Sequence, residues 1–205
     1  MIIFDLDGTL WQTIDATYEA ANIITKKYAE LKPISKETII KGMGLSTLEN
    51  EINYMPYIPP KQGIEYMKEI SQKTSEIINE KNVVIYDGVI ETLKELSKEY
   101  KIGIITNNRD EYAKTFLNIT KLKEYFTDYM GAATYNITKG EAIKQMIKKY
   151  NEKENYYVGD IKKDQEATMY AGIKFIHAKY GFEPNLKSEL SIEKIQDLPK
   201  IIKKQ

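Results

Sequence analysis

Short, mostly apolar runs that alternate with stretches of helical period constrain this chain more than any other feature of its sequence. The runs are Ile2-Ile3-Phe4, Val83-Val84-Ile85, Ile102-Gly103-Ile104-Ile105, Tyr156-Tyr157-Val158 and Lys174-Phe175-Ile176. Runs this short and this apolar suit strands buried on both faces of a parallel sheet. Between them, Ile90, Leu93 and Leu96 line one helical face, and Ile143, Met146, Ile147 and Tyr150 line another. Strand alternating with helix predicts an α/β fold, a Rossmann-like, doubly wound parallel sheet with helices on both sides.

Residues 14–82 break that rhythm. Ile14 to Glu30 has a helical pattern with Ala20, Ala21, Ile24 and Tyr28 on one side, and Ile64, Met67, Ile70, Ile77 and Ile78 repeat it. Four of the six prolines fall in the same stretch, at Pro33, Pro56, Pro59 and Pro60. The expected organisation is therefore a core made of residues 1–13 and 83–205, interrupted after its first strand by a helical domain over 14–82. Ligands of open parallel sheets bind beyond the carboxyl ends of the strands. An insert leaving from that edge is expected to act as a cap over the site, its bland alternative being a stabilising appendage.

Charge and composition narrow the partners. Thirty basic and thirty acidic residues cancel, so the chain lacks the net field that holds nucleic acid or an anionic membrane, and neither partner is expected. There is no cysteine, which removes disulfides and thiolate chemistry and fits a reducing compartment. No apolar run near the start is long enough for a signal peptide or a membrane span, and a cytoplasmic location is expected. Arg109 is the only arginine, so phosphate binding would rest on lysine and backbone N–H groups rather than on guanidinium forks. The chain is expected to work as a monomer or homodimer.

The chemistry sits at the ends of the apolar runs. Asp5-Leu6-Asp7-Gly8-Thr9-Leu10 follows the first of them, with two carboxylates two residues apart and a glycine that permits a sharp bend. Alone, this reads equally as a turn with a helix cap. Val158-Gly159-Asp160-Ile161-Lys162-Lys163-Asp164 repeats the arrangement, and Asp160 and Asp164 are one helical turn apart. Four carboxylates at two strand ends make a hard-oxygen site of the type Mg²⁺ prefers. Thr106-Asn107-Asn108 adds a hydroxyl and amides at a third strand end, and Lys139 opens a helix at a fourth station. Singly, Thr106 reads as a cap and Lys139 as a surface lysine. Together, a metal, a carboxylate nucleophile, hydrogen-bond donors and an ammonium suit phosphoryl transfer.

In order, these four motifs are similar to those of the haloacid dehalogenase-like hydrolase superfamily, and the chain resembles its phosphoglycolate phosphatase and β-phosphoglucomutase branch. Tyr86-Asp87-Gly88-Val89, Tyr125-Phe126-Thr127-Asp128, Ala171-Gly172-Ile173 and Tyr180-Gly181-Phe182 also resemble that branch. The chain departs from it at Gln12, two residues past Leu10, where an acidic residue is frequent, and at Gly140, where proline is.

The resemblance implies a Mg²⁺-dependent phosphatase acting on a small soluble phosphomonoester. Asp5 would be the nucleophile and Asp7 the acid–base. Asp5, the backbone carbonyl of Asp7, Asp160 and Asp164 would hold the metal. Leu6 and Asn107, through their N–H groups, with Thr106 and Lys139, would bind the phosphoryl oxygens. Lys41, Ser46 and Thr47 in the insert and Arg109 in the core are candidate substrate contacts. Each has a plain alternative, a helix–helix turn for the first three and a surface helix start for the last. His177 is read as structural and remote from the motifs. Two other readings stay open: a phosphosugar mutase that keeps the intermediate and changes the acceptor, and a non-catalytic regulatory protein on the same fold.

Overall fold

The structure, a computed structural model, describes residues 1–203. Its strands are β1 (Ile2–Phe4), β2 (Trp11–Gln12), β3 (Val84–Ile85), β4 (Ile102–Thr106), β5 (Asp128–Gly131), β6 (Tyr156–Gly159), β7 (Lys174–Ala178) and β8 (Leu190–Ile192). Six form one sheet in the order β5-β4-β1-β6-β7-β8. Every pairing in it is parallel, with Ile2 opposite Ile102 on one side and Tyr156 on the other. The chain steps outward from β1 through β4 to β5, then returns to the other flank of β1 as β6. That reversal marks the carboxyl ends of β1, β4 and β6 as the edge at which open parallel sheets bind ligands.

The central strands are apolar because both of their faces are covered. Ile2, Ile3, Phe4, Ile104, Ile105, Tyr157 and Val158 are fully buried. Ile3, Ile105 and Tyr157 share a cluster with Ile143 and Met146 of α8 (Lys139–Tyr150) and Ala171 of α9 (Lys162–Ala171). Alternate residues point to the opposite face. The edges differ. β5 is half-buried along most of its length, as is β8 except at Ile192, so neither shows the continuous apolar run by which the inner strands are recognised.

One expected strand lies elsewhere. The run Val83–Ile85 does not join the six-stranded sheet; β3 pairs with β2 in a separate two-stranded sheet, and Val84 is exposed. A run of three β-branched residues carries the propensity of a buried strand wherever it is placed, and here tertiary context overrides the pattern.

The chain divides into two compact units, Met1–Gln12 with Ile85–Gln205, and Thr13–Val84. The second is helical: α1 (Ile14–Lys27), α2 (Lys36–Gly42), α3 (Thr47–Tyr54) and α4 (Pro60–Ile77). Ala20, Ala21 and Ile24 form the buried stripe of α1 as their spacing predicts. On α4 the buried face runs through Tyr66, Met67, Ile70 and Thr74 rather than through Ile64. Tyr28 stacks obliquely on Tyr66, 4.6 Å between centroids, and its hydroxyl donates to Glu69 at 2.6 Å. The first unit adds α5 (Val89–Leu96), α6 (Asp110–Thr120), α7 (Ala132–Tyr135) and α10 (Leu198–Lys203) to α8 and α9. Among the described residues no helix is long and apolar enough to cross a membrane.

Candidate active site

Three of the four expected stations, those of Asp5, of Lys139 and of Asp160 with Asp164, meet at the carboxyl edge of the sheet. Asp5 follows β1 directly, and its N–H donates to the Val158 carbonyl at 2.9 Å, which holds the strand end beside β6. The chain then turns tightly, with the N–H groups of Thr9, Leu10 and Trp11 all donating to the Leu6 carbonyl. Gly8 adopts φ +84°, and a Cβ there would lie 2.1 Å from Asp160 Oδ2. Only glycine permits both the left-handed backbone and that close approach. Gly181 closes the other side of Asp160, since a Cβ on it would lie 2.2 Å from Asp160 Cβ.

Asp160 itself is fully buried. Its Oδ2 accepts from the Phe182 N–H at 2.7 Å and its Oδ1 from the Thr9 hydroxyl at 3.3 Å. Asp164 stands in the first turn of α9 and reaches back, accepting from the N–H groups of Asp160 and Ile161 at 3.1 and 3.3 Å. It thereby satisfies donors that a helix start leaves open. Asp160 precedes the helix, so the two carboxylates converge through this cap and not as neighbours on a helical face.

Lys139 is the first residue of α8. Thr138 caps that helix in a reciprocal pair with Glu141, which fixes where the lysine stem leaves the backbone. Its ammonium donates to Asp5 Oδ1 at 3.0 Å and to Asp164 Oδ1 at 2.6 Å, all three side chains being buried. Lys139 is thus no surface lysine.

The electrostatics follow from that burial. Desolvation raises the Asp5 carboxyl from an ordinary 3.8 to about 7, against the pull of Lys139. Burial likewise pushes Asp160 well above the usual carboxylate range, and Asp164 and Asp5 add to it. Burial pulls Lys139 down, but Asp164 and Asp5 more than offset it and hold the ammonium charged. Carboxylate oxygens of Asp5, Asp160 and Asp164 lie within 4.8 Å of one another. When ionised, three carboxylates against one ammonium leave two negative charges, which one divalent cation would neutralise. Asp5 Oδ2 is buried with no hydrogen-bond partner, an acceptor in want of a ligand. All the donors are hard oxygens, so the residues present fit a divalent cation of the Mg²⁺ type.

The other expected residues are placed differently. The Asp7 carboxylate lies outside the three-carboxylate cluster, and its Oδ1 accepts from the Tyr112 hydroxyl at 2.7 Å. Leu6 and Asn107 stand just beyond the ends of β1 and β4, and Thr106 ends β4. The Thr106 hydroxyl accepts from the Asn108 N–H at 3.2 Å, so it caps this turn and not α6, whose N-cap is Arg109. Arg109 is exposed. In the helical unit Lys41 is exposed on the last turn of α2. Ser46 caps α3 in a reciprocal pair with Glu49, and Thr47 begins that helix, the helix–helix turn reading of this stretch. His177, expected to be remote from every motif, instead pairs in register with Gly159, one residue before Asp160. Parallel neighbours in a sheet share an edge, and no sequence spacing reveals which neighbours those are.

Three residues that hydrogen-bond to these carboxylates were not singled out by the sequence. Thr9 and Phe182 were visible only as parts of longer phrases. Tyr112 lies on the buried face of α6 with Ala113, Phe116 and Leu117. Its signal was a polar-tipped ring on an apolar helical stripe just past the second motif.

A family model described as haloacid dehalogenase-like hydrolase matches residues 2–178. A phosphoglycolate phosphatase of Pseudomonas syringae is 28% identical, over 98% of this chain and 78% of its own length. The pyrophosphatase PpaX of Listeria monocytogenes is 24% identical, over 98% of this chain and 95% of its own. A haloacid dehalogenase-like family hydrolase of Streptococcus pneumoniae has the same fold, with a TM-score of 0.83 at 19% identity, covering 98% of this chain and 97% of that one.

Proposed function

The chain belongs to the haloacid dehalogenase-like hydrolase family and is a phosphatase, and from that premise we propose that it hydrolyses a small phosphorylated metabolite through a phosphoryl group carried on Asp5. The observation that carries this reading is the buried contact of Lys139 with both Asp5 and Asp164 beside Asp160. An ammonium and three carboxylates so placed match a centre that takes a phosphate together with a divalent cation.

In this reading an Asp5 oxygen attacks phosphorus as the bond to the leaving oxygen breaks, and Asp7 supplies the proton that oxygen takes. The Asp7 carboxylate then accepts a proton from water, which attacks the acyl phosphate and frees both phosphate and Asp5. Lys139, the Thr106 hydroxyl and the N–H groups of Leu6 and Asn107 hold the phosphoryl oxygens. Asp5, Asp160 and the Asp7 carbonyl, with Asp164 in support, would hold Mg²⁺. Bound there, Mg²⁺ supplies charge stabilisation on the transferring phosphoryl group.

These core groups meet only the phosphoryl end of a substrate. The Thr13–Val84 unit is therefore our candidate for the cap that chooses the leaving group, with Lys41, Ser46 and Thr47 as its candidate contacts and Arg109 as one from the core. Phosphoglycolate, sugar phosphates, nucleoside monophosphates and inorganic pyrophosphate are the compounds to try, the last because one relative is a pyrophosphatase. Phosphate release should appear for at least one of them in Mg²⁺ and vanish in EDTA. Asp5→Asn should abolish it while the variant still melts in one cooperative transition. Turnover by that variant at the wild-type rate would end the nucleophile assignment.

A further inference from the structure

We propose that Tyr112, braced by Trp11, is a positioning residue that holds the Asp7 carboxyl in the orientation its proton transfers require. The Tyr112 hydroxyl donates to Asp7 Oδ1 at 2.7 Å, and both residues are buried. A phenol in this place has a specific merit. It donates to a carboxylate oxygen when Asp7 is ionised and to the carbonyl oxygen when Asp7 is protonated. The contact therefore survives both halves of the cycle, and the carboxyl need not be reoriented between giving a proton and taking one.

The phenol is itself held. Its ring packs edge-on against Trp11, with centroids 5.3 Å apart at 68°, and Trp11 packs likewise on Phe116, 5.1 Å away at 84°. Tyr112 and Phe116 are one turn apart on the buried face of α6. Trp11 in turn belongs to the loop that carries the acid. Its carbonyl accepts from the Gly8 N–H at 2.8 Å, its N–H donates to the Leu6 carbonyl at 3.1 Å, and it bridges to Asp7 through the backbone. One fully buried ring thus joins the turn bearing Asp7 to the helix bearing its partner. Groups that react are sensitive to such bracing, since a misplacement of about 1 Å can lower a rate by about 100-fold.

This inference rests on the reading of Asp7 as the acid, and the test separates the two. A positioned proton matters little to a leaving group that departs readily as an anion and a great deal to a basic one. The probes are p-nitrophenyl, phenyl and benzyl phosphate, whose leaving groups rise in basicity. The readout is kcat/KM in Mg²⁺, which covers the first transfer and not the later hydrolysis of the intermediate. Tyr112→Phe keeps the ring and removes the hydroxyl; its melting temperature checks the fold. We expect it to lose less than about threefold on p-nitrophenyl phosphate and about tenfold or more on benzyl phosphate. Asp7→Asn should lose in the same order and more steeply. Trp11→Phe should keep most of the wild-type profile and Trp11→Ala should approach that of Tyr112→Phe. An equal loss on all three probes, or none, for Tyr112→Phe beside a steep Asp7→Asn overturns the positioning role alone. A flat response of Asp7→Asn overturns the acid assignment and this inference with it.

Discussion

Replacing Lys139 by Met tests the core of the site on stability rather than turnover. Methionine keeps most of the stem and removes the charge, so two buried carboxylates, Asp5 at 3.0 Å and Asp164 at 2.6 Å, lose their cation together. Removing one partner of a buried ion pair costs about 3–5 kcal/mol. For a chain of this size about 1 kcal/mol moves the melting temperature by about 2–4 °C, so a fall of about 6–20 °C is expected in EDTA at pH 8. The deficit should depend on pH with a definite sign. The Asp5 carboxyl stands at about 7 in the folded chain against an ordinary 3.8. Its charge therefore opposes folding, and the resulting loss of stability is complete above pH 7 and relieved as pH falls towards 4. Loss of Lys139 raises that carboxyl further, so the variant's deficit should be largest at pH 8 and smaller at pH 5.5. Mg²⁺ should then restore more stability to the variant than it adds to the wild type, by linkage to the folded state. Thermal melts of both proteins at the two pH values, with EDTA and with Mg²⁺, give all four comparisons. A deficit below about 1 kcal/mol that is the same at both pH values would refute the coupling described here.

Two other perturbations follow from the same geometry. Gly8→Ala combines a left-handed φ of +84° with a Cβ placed on the Asp160 carboxylate; a loss of about 2 kcal/mol or more in urea denaturation is expected, and an unchanged midpoint would contradict the close packing. Burial holds the His177 imidazole below its usual pKa, so the unfolded chain binds its proton first and stability falls as pH drops below about 6.5. His177→Phe should flatten that acid-side fall in melts between pH 7 and 5, measured against the wild type, and an identical slope would refute the assignment.

Much of the arrangement was legible because burial and chemistry left separate marks on the chain. β1, β4 and β6 are covered on both faces, so their sequences are apolar but for Thr106 at the end of β4 and announce themselves. β5 and β8, covered on fewer sides, carry Asp128, Tyr129, Glu189 and Ser191 in or beside them and give no such run. Val83-Val84-Ile85 shows the converse failure, a strand-like sequence placed outside the main sheet. Asp5, Asp160, Asp164 and Lys139 were found because each follows a strand or opens a helix, and a parallel sheet brings such ends to one edge. The pairing of Tyr112 with Asp7 spans 105 positions. It depends on which face of α6 meets the first loop, a fact of packing that neither residue's neighbours encode.

Trp11 has one more consequence. It is the sole tryptophan of the chain and is shielded from solvent, so indole emission comes from a single point beside the loop of Asp7. Under the proposed mechanism, capture of vanadate or fluoroberyllate beside Asp7 should alter this emission, and the change can be read in the unlabelled wild type.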